Sequence, residues 1–293
     1  MELTLRNITK TYPGGVTALD DLSLTIPRGM FGLLGPNGAG KSTLMRSIAT
    51  LQEVDSGSIT LGDLDIRREP DELRRVLGYL PQDFGLYPNV DAVTMLTHIA
   101  ALKGLGTAGE LKEIVETLLQ RTNLWEHRKK KLGGYSGGMR QRFGIAQALL
   151  GQPKLIIVDE PTAGLDPEER NRFLNLLSEI GENVIVILST HIVDDVSEVC
   201  SRMAIIDQGR VLTEGEPGEA IETLRGKTWL LEADRADLPR LHEEHTVISM
   251  RLAGGRTVIH VFSEGNPGPG FESADPDLQD VYFTTLGGRR QEA

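Results

Sequence analysis

Cysteine and long apolar runs are scarce in this chain of 293 residues, whose only cysteine is Cys200. No intrachain disulfide can therefore form, and a reducing compartment is favoured. The longest apolar runs, Leu155 to Val158 and Val184 to Leu188, have the length of strands, whereas a membrane-spanning helix needs about 20 residues. The residues after Met1 also lack the basic and apolar segments of a signal peptide. We therefore expect a cytoplasmic protein whose role at a membrane would depend on a partner.

Positive charge is also in deficit, since 31 lysines and arginines face 42 aspartates and glutamates, for a formal net charge of −11. Binding of nucleic acid without regard to sequence needs clustered cations that neutralise phosphates. We therefore expect no nucleic-acid partner, although a local basic site stays compatible with this total.

Strand patterns alternate with helix patterns along most of the chain. Alternating apolar and polar residues predict half-buried strands, short apolar runs predict buried strands, and helix-spaced apolar residues predict helices. The strands are predicted at residues 3–8, 22–26, 30–34, 155–158, 184–188 and 203–206, and the helical stretches at 41–50, 90–150 and 173–180. This alternation predicts an α/β fold built on a mainly parallel sheet.

The composition changes near residues 213–227, where Gly215, Pro217, Gly218 and Gly226 cluster. Beyond them the pattern predicts a strand at 228–233, a hairpin that turns at residues 254–255, and a helix at 277–286. We therefore predict two domains, at residues 1–222 and 228–293, the first with a helical subdomain at about 88–150 and the second a small α+β module.

A glycine-rich loop follows the predicted strand at residues 30–34 and precedes a predicted helix. Its sequence fits the phosphate-binding pattern G-x-x-x-x-G-K-[ST] at every fixed position, so that backbone N–H groups and the start of the helix would face phosphates. The predicted phosphate-binding residues are Gly35, Pro36, Asn37, Gly38, Ala39, Gly40, Lys41, Ser42 and Thr43. Lys41 would neutralise the β- and γ-phosphates, and the Ser42 hydroxyl would bind Mg²⁺.

Two further motifs supply groups for a phosphate reaction. Asp159 and Glu160 end a buried strand, where ligands of open α/β sheets sit; Asp159 suits Mg²⁺, and Glu160 suits an attacking water. Ser136, Gly137 and Gly138 open another helix, and a hydroxyl followed by free N–H groups forms a second possible anion site. Each motif alone would more often be an ordinary turn or helix cap.

The series of motifs resembles the ATPase subunit of an ABC transporter over roughly residues 1–220. In order they resemble the adenine-stacking aromatic (Tyr12), Walker A (35–43), the Q-loop (Gln82), the signature (135–139), Walker B (155–160), the D-loop (163–166, with Asp166) and the switch histidine (His191). The signature reads Tyr-Ser-Gly-Gly-Met instead of Leu-Ser-Gly-Gly-Gln, so Met139 lacks the amide of the common form.

The resemblance implies ATP and Mg²⁺ as cofactors and a head-to-tail dimer, with each ATP between the Walker A loop of one subunit and Ser136–Gly138 of the other. Glu160, His191 and Gln82 are implied as catalytic residues, and Ser42, Gln82 and Asp159 as metal ligands. It also implies separate transmembrane permease subunits and a place on the inner face of the cell membrane.

Residues 276–283 resemble the tail of exporter ATPases, which favours export over import. The alternatives are a soluble ABC ATPase that acts on ribosomes or DNA, and a degenerate cassette used only for regulation. The single set of motifs disfavours the first, and the presence of Lys41, Ser136, Glu160 and His191 disfavours the second.

Overall fold

The computed structural model describes residues 1–234 and 236–290. The strands in chain order are β1 (Glu2–Thr11), β2 (Thr17–Pro27), β3 (Gly29–Leu34), β4 (Ser56–Leu61), β5 (Leu64–Asp65), β6 (Leu77–Leu80), β7 (Leu155–Asp159), β8 (Ile185–Thr190), β9 (Arg202–Asp207), β10 (Arg210–Gly215), β11 (Thr228–Ala233), β12 (Thr246–Ala253), β13 (Arg256–Phe262) and β14 (Glu272–Ser273).

The α-helices are α1 (Lys41–Ile48), α2 (Pro70–Val76), α3 (Ala92–Leu102), α4 (Ala108–Arg121), α5 (Gly137–Ala148), α6 (Pro167–Gly181), α7 (Val193–Val199), α8 (Pro217–Glu222), α9 (Leu238–Glu244) and α10 (Leu278–Arg290). Short 3₁₀ turns occupy Trp125–His127 and Leu132–Gly134. Within residues 1–234 and 236–290, no helix combines the length and the apolar character needed to cross a membrane.

A six-stranded sheet forms the centre of the molecule, with the order β10-β9-β3-β8-β7-β6. Its strands run parallel except β10, which pairs antiparallel with β9. Every residue of β7 and β8 is buried, because both faces of the sheet are covered. The mainly parallel sheet predicted from the apolar runs is confirmed.

Successive residues of the central strands enter two different hydrophobic cores. In β7, Ile156 and Val158 join the core under the helices, while Leu155 and Ile157 join the core under the antiparallel sheet β2-β1-β4-β5. Successive strand residues point to opposite faces. The continuous apolar run thus serves two packing layers at once.

Helices α3, α4 and α5 fill the stretch that the sequence predicted to be mostly helical. Polar groups set their starts: Asp91 accepts from the N–H of Thr94 at 2.9 Å before α3, and Thr107 and Glu110 form a capping box at α4. The helices pack on one another through apolar side chains that belong to the core under the helices.

The last part of the chain forms a four-stranded sheet of order β12-β13-β11-β14. The predicted hairpin is present as β12 and β13, and its turn at Gly254 and Gly255 needs the positive φ angles of 58° and 86° that glycine adopts readily. Leu278 and Tyr282 of α10 are buried in the same core as the helices of the first part.

The predicted domain boundaries stay a prediction. The stretch 213–227, whose composition suggested a boundary, contains the end of β10 and the helix α8. Arg235 and residues 291–293 of the predicted second domain lie outside the described residues.

Candidate functional site

A cavity of about 400 Å³ opens at the carboxyl ends of β3, β7 and β8. Its volume is within the usual range for sites of small ligands. The residues that line it are Tyr12, Val16, Ala18, Pro36, Asn37, Gly38, Ala39, Gly40, Lys41, Ser42, Thr43, Gln82, Asp159, Glu160 and His191. Residues far apart in sequence, and predicted from separate motifs, are therefore neighbours in one cavity.

A larger cavity, of about 710 Å³, lies elsewhere, between α4 and the end of α6. It is lined mainly by apolar side chains, among them Leu105, Ile114, Leu118 and Ile180, and by Val184 just before β8. Val184 marks the amino end of β8, whereas ligands of open α/β sheets bind at the carboxyl ends of the strands. We therefore place the functional site in the smaller cavity.

The loop between β3 and α1 wraps the floor of this cavity, and its glycines are required by geometry. Gly38 and Gly40 have φ angles of 84° and 104°, which disfavour other residues. A Cβ on Gly40 would also come within 3.0 Å of the carbonyl oxygen of Ala18. Among the described residues, no side chain caps the start of α1. The helix N terminus is thereby left open for an anion.

Lys41 is buried beside this loop, with 7% of its surface exposed. Its Nζ donates to the carbonyl oxygens of Gly35, at 2.5 Å, and Pro36, at 3.1 Å. Burial lowers the pKa of Lys41, while the charges of Glu160 and Asp159 raise it. A buried ammonium that donates to two backbone carbonyls fits the negative charge of a polyphosphate.

Asp159 is the last residue of β7 and Glu160 follows it, and they are 6% and 8% exposed. Burial raises the pKa of Asp159, because the low-dielectric surroundings disfavour its charged form. Ser42 and Gln82 line the same cavity, so a hydroxyl, an amide and a carboxylate can converge there. Such oxygen donors fit Mg²⁺, which prefers hard oxygen ligands.

Glu160 is held in an uncommon conformation. Its φ angle is 48°, in the left-handed region that residues with a Cβ rarely occupy, and its N–H donates to the carbonyl oxygen of Ser189 at 2.8 Å. Its Oε2 lies 2.7 Å from Nδ1 of His191, which follows β8 and keeps 58% of its side chain exposed. Strained backbone conformations cluster at functional sites, so this conformation supports a functional role for Glu160.

Tyr12 and Gln82 lie at the rim of the cavity. The Tyr12 hydroxyl donates to Oε1 of Gln52 at 2.8 Å and lies 3.2 Å from Oγ1 of Thr43. Gln82 follows β6 and is exposed. The role of Tyr12 in stacking on adenine stays a prediction, as do the roles of Gln82 in catalysis and in metal binding.

Other predicted residues lie outside this cavity. Ser136 caps α5 and accepts from the N–H of Met139 at 3.2 Å, while Asp166 caps α6 and accepts from the N–H of Glu169 at 2.9 Å. Ser136 and Gly137 are exposed, whereas Met139 is only 8% exposed. The Met139 side chain, which lacks the amide of the common signature, therefore packs into the core.

The sequence motifs missed two residues that line the cavity. Val16 and Ala18 lie on the turn and strand after Pro13-Gly14-Gly15, and Val16 is 65% exposed although it is apolar. Their position close behind Tyr12 is the only sequence signal that could have identified them.

Comparisons with known proteins agree with this geometry. A protein-family model described as "ABC transporter" matches residues 19–163. The linearmycin resistance ATP-binding protein LnrL of Bacillus subtilis is 39% identical over 228 residues, which cover 77% of this chain and 73% of the relative. YbhF of Escherichia coli, named as a probable multidrug ABC transporter ATP-binding protein, is 33% identical over 98% of this chain. The chain spans 52% of that relative.

Among solved structures, a dimeric ATP-binding cassette in a post-hydrolysis state bound to ADP and Pi matches with a TM-score of 0.67. It is 27% identical, and the match covers 73% of this chain and 98% of the cassette. The structure of an ATP-binding subunit of an ABC transporter matches with the same TM-score at 28% identity, over 76% of this chain and 93% of that subunit.

Proposed function

Because the chain belongs to the ABC transporter family, we propose that two copies close around two ATP molecules and energise export through separate membrane subunits. The predicted resemblance, the predicted α/β cassette fold and the predicted ATPase activity are confirmed. The contact that carries the hydrolytic part of the proposal is the 2.7 Å pair of Glu160 and His191 beside the phosphate-binding loop.

The chain's own groups account for ATP hydrolysis. Lys41 and the N–H groups at the start of α1 bind the β- and γ-phosphates, and Glu160 takes a proton from the attacking water. His191 orients the Glu160 carboxylate through its Nδ1, which lies 2.7 Å from Oε2 of Glu160. Ser42, Gln82 and Asp159 would hold Mg²⁺, which supplies neutralisation of the phosphate charge when bound.

The second half of each ATP site is proposed to come from another copy. Ser136 and Gly137 are exposed at the start of α5 but do not line the cavity of their own subunit. The start of a helix carries partial positive charge, so these residues can bind the γ-phosphate of an ATP held by the partner. The dimeric arrangement of the ADP-bound cassette that matches this chain supports this reading.

The names of two relatives support export. LnrL is named for linearmycin resistance and YbhF for multidrug transport. We propose that this chain lies in the cytoplasm on the inner face of the cell membrane, where residues 83–105 contact permease subunits. The alternative of a soluble ATPase on ribosomes or DNA lacks such support.

Replacement of the proposed base tests the function. Glu160→Gln removes the proton acceptor and leaves the phosphate-binding loop intact, so turnover should fall about 100- to 10,000-fold while ATP affinity stays unchanged. The variant should also form a dimer in ATP, and this dimer should be absent in ADP on size-exclusion chromatography. Steady-state ATPase assays measure the turnover, and ATP titration measures the affinity.

The matched control is Glu182→Gln, an exposed glutamate beyond the end of α6. It should hydrolyse ATP as the unsubstituted chain does. Normal turnover in Glu160→Gln would show that another group activates the water. In cell extracts, recovery of the ATP-bound Glu160→Gln variant with ribosomes rather than with membranes would contradict the transport proposal.

A further inference from the structure

The first turn of α6 lies between the two parts of the chain that the proposed function assigns to different ATP molecules. On one side is the loop that follows Glu160, and on the other is α5, which carries Ser136–Gly138 at its start. Glu169 and Arg170 are consecutive on this turn. Consecutive helix residues are rotated by about 100°, so the two side chains meet different neighbours.

Glu169 joins α6 to the signature helix α5. Its Oε2 pairs with Nη1 of Arg142, and the two side chains are 21% and 12% exposed. The same carboxylate packs directly over Gly138, where an added Cβ would lie 2.8 Å from Cδ of Glu169. A side chain at position 138 would therefore displace the Glu169 carboxylate from this position.

Arg170 joins α6 to α7, the helix that follows His191. Its Nε donates to Oδ1 of Asp195 at 2.5 Å, and the Asp195 side chain is fully buried. The other carboxylate oxygen accepts from Oγ1 of Thr162 at 2.5 Å. Thr162 lies in the loop between Glu160 and α6. Asp195 therefore connects that loop and α6 to α7.

These pairs connect α5, the first turn of α6 and α7 to one another. A partly buried ion pair is costly to break, because separation leaves an uncompensated charge in a low-dielectric environment. Elements held in this way shift between discrete arrangements instead of deforming gradually. A displacement of Glu160 and His191 is therefore transmitted to Ser136–Gly138.

We propose that Glu169 and Arg170, with their partners Arg142 and Asp195, are positioning residues. They couple hydrolysis of the ATP beside Glu160 to the binding of the second ATP at the start of α5. This inference rests on the proposed dimer with two shared ATP sites. Loss of the γ-phosphate frees Glu160 and His191 to shift, and the two ion pairs carry that shift to α5. The second ATP is thereby held less tightly.

Two variants test the coupling from its two ends. Asp195→Asn weakens the contact to Arg170, and Glu169→Gln weakens the contact to Arg142. In the whole chain both variants should lower kcat about tenfold. Both should also reduce the Hill coefficient for ATP from above one to one, because coupling between two sites typically changes the affinity of each site about 5- to 150-fold. ATP affinity of the dilute single subunit should stay within about twofold, since neither residue lines the cavity.

Each variant has a neighbouring control on the same helix. Asp194→Asn changes an exposed carboxylate that contacts Gln279, and Glu168→Gln changes an exposed carboxylate that pairs with Arg172. Both should retain the Hill coefficient of the unsubstituted chain. If Asp195→Asn does not fold, Arg170→Lys retains the charge but loses the placed Nε donor, and it should show the same loss of cooperativity.

Unchanged cooperativity in folded Glu169→Gln and Arg170→Lys would overturn the inference. A Hill coefficient of one in the unsubstituted chain would also overturn the inference if Glu160→Gln still forms an ATP-dependent dimer. Absence of that dimer would instead refute the proposed function itself. A fall in thermal stability with the Hill coefficient retained would show that the pairs are structural only.

Discussion

At the scale of single residues, Gly32 shows how closely α7 packs on the central sheet. Gly32 is in the middle of β3, and an added Cβ would come within 3.0 Å of both methyl carbons of Val196 on α7. Val196 is completely buried. The absence of a side chain at Gly32 therefore sets the distance between β3 and the helix that follows His191.

Gly32→Ala should destabilise the fold by about 1–3 kcal/mol, because an extra methyl group in a packed core displaces its neighbours. Urea unfolding measures the change. Gly218→Ala is the matched control, since Gly218 is in α8 with open space around its Cα, and its effect should stay within about 0.5 kcal/mol. Addition of Val196→Ala should recover part of the loss; a double variant less stable than Gly32→Ala would contradict the steric explanation.

At the scale of helices and strands, α10 attaches the C-terminal sheet to the rest of the molecule. Its buried side chains Leu278, Val281 and Tyr282 join the core of the first part, and Gln279 donates to Asp194 on α7 at 2.9 Å. The sheet itself has a small core of its own around Leu241 and Ile259. We propose that residues 228–293 form an accessory module docked through α10.

Leu278→Ala should therefore destabilise the first part of the chain, and not only the module. The expected loss is about 2–5 kcal/mol, since a buried leucine side chain is replaced by a cavity. Phe283→Ala, on the same helix but 41% exposed, should cost far less. Thermal melting curves are recorded in saturating ATP and without nucleotide, and the transition that ATP stabilises reports the first part of the chain. An unchanged midpoint of this transition in Leu278→Ala would contradict the docked arrangement.

Elements with strong local signals could be predicted from the sequence. The short apolar runs of β3, β7 and β8 favour buried strands, because each run has the length of a strand. In the loop at residues 35–43, the glycines indicate the turn, and Lys41 marks the start of the helix. The helix α8 was missed, because Pro217 and Gly218 resemble a linker. Proline at the first position of a helix is nevertheless favoured, so Pro217 was an available start signal.

The contacts around the first turn of α6 could not be predicted from sequence. Arg142 is 27 residues from Glu169, and Arg170 is 25 residues from Asp195. Their pairing depends on how far α5, α6 and α7 are rotated about their axes, and that rotation is set by packing on the sheet. Charged residues at these positions are indistinguishable from solvated helix faces until the helices are placed.

At the scale of the whole molecule, net charge opposes the proposed dimer. Each chain carries a formal charge of −11, and ATP brings further negative charge into the interface. Like-charged bodies repel over the Debye length, which falls from about 30 Å at 0.01 M salt to about 8 Å at 0.15 M. Local attraction at the two ATP sites must overcome this long-range repulsion.

The ATP-dependent dimer of Glu160→Gln should therefore become tighter when salt is raised from about 0.01 M to about 0.15 M at constant magnesium. Analytical ultracentrifugation gives the dissociation constant at each salt concentration. Reversal of two exposed acids, Glu219→Lys with Glu243→Lys, makes the chain less negative and should flatten this dependence. A dimer that weakens as salt is added would show instead that opposite charges facing each other across the interface outweigh the repulsion between the two subunits.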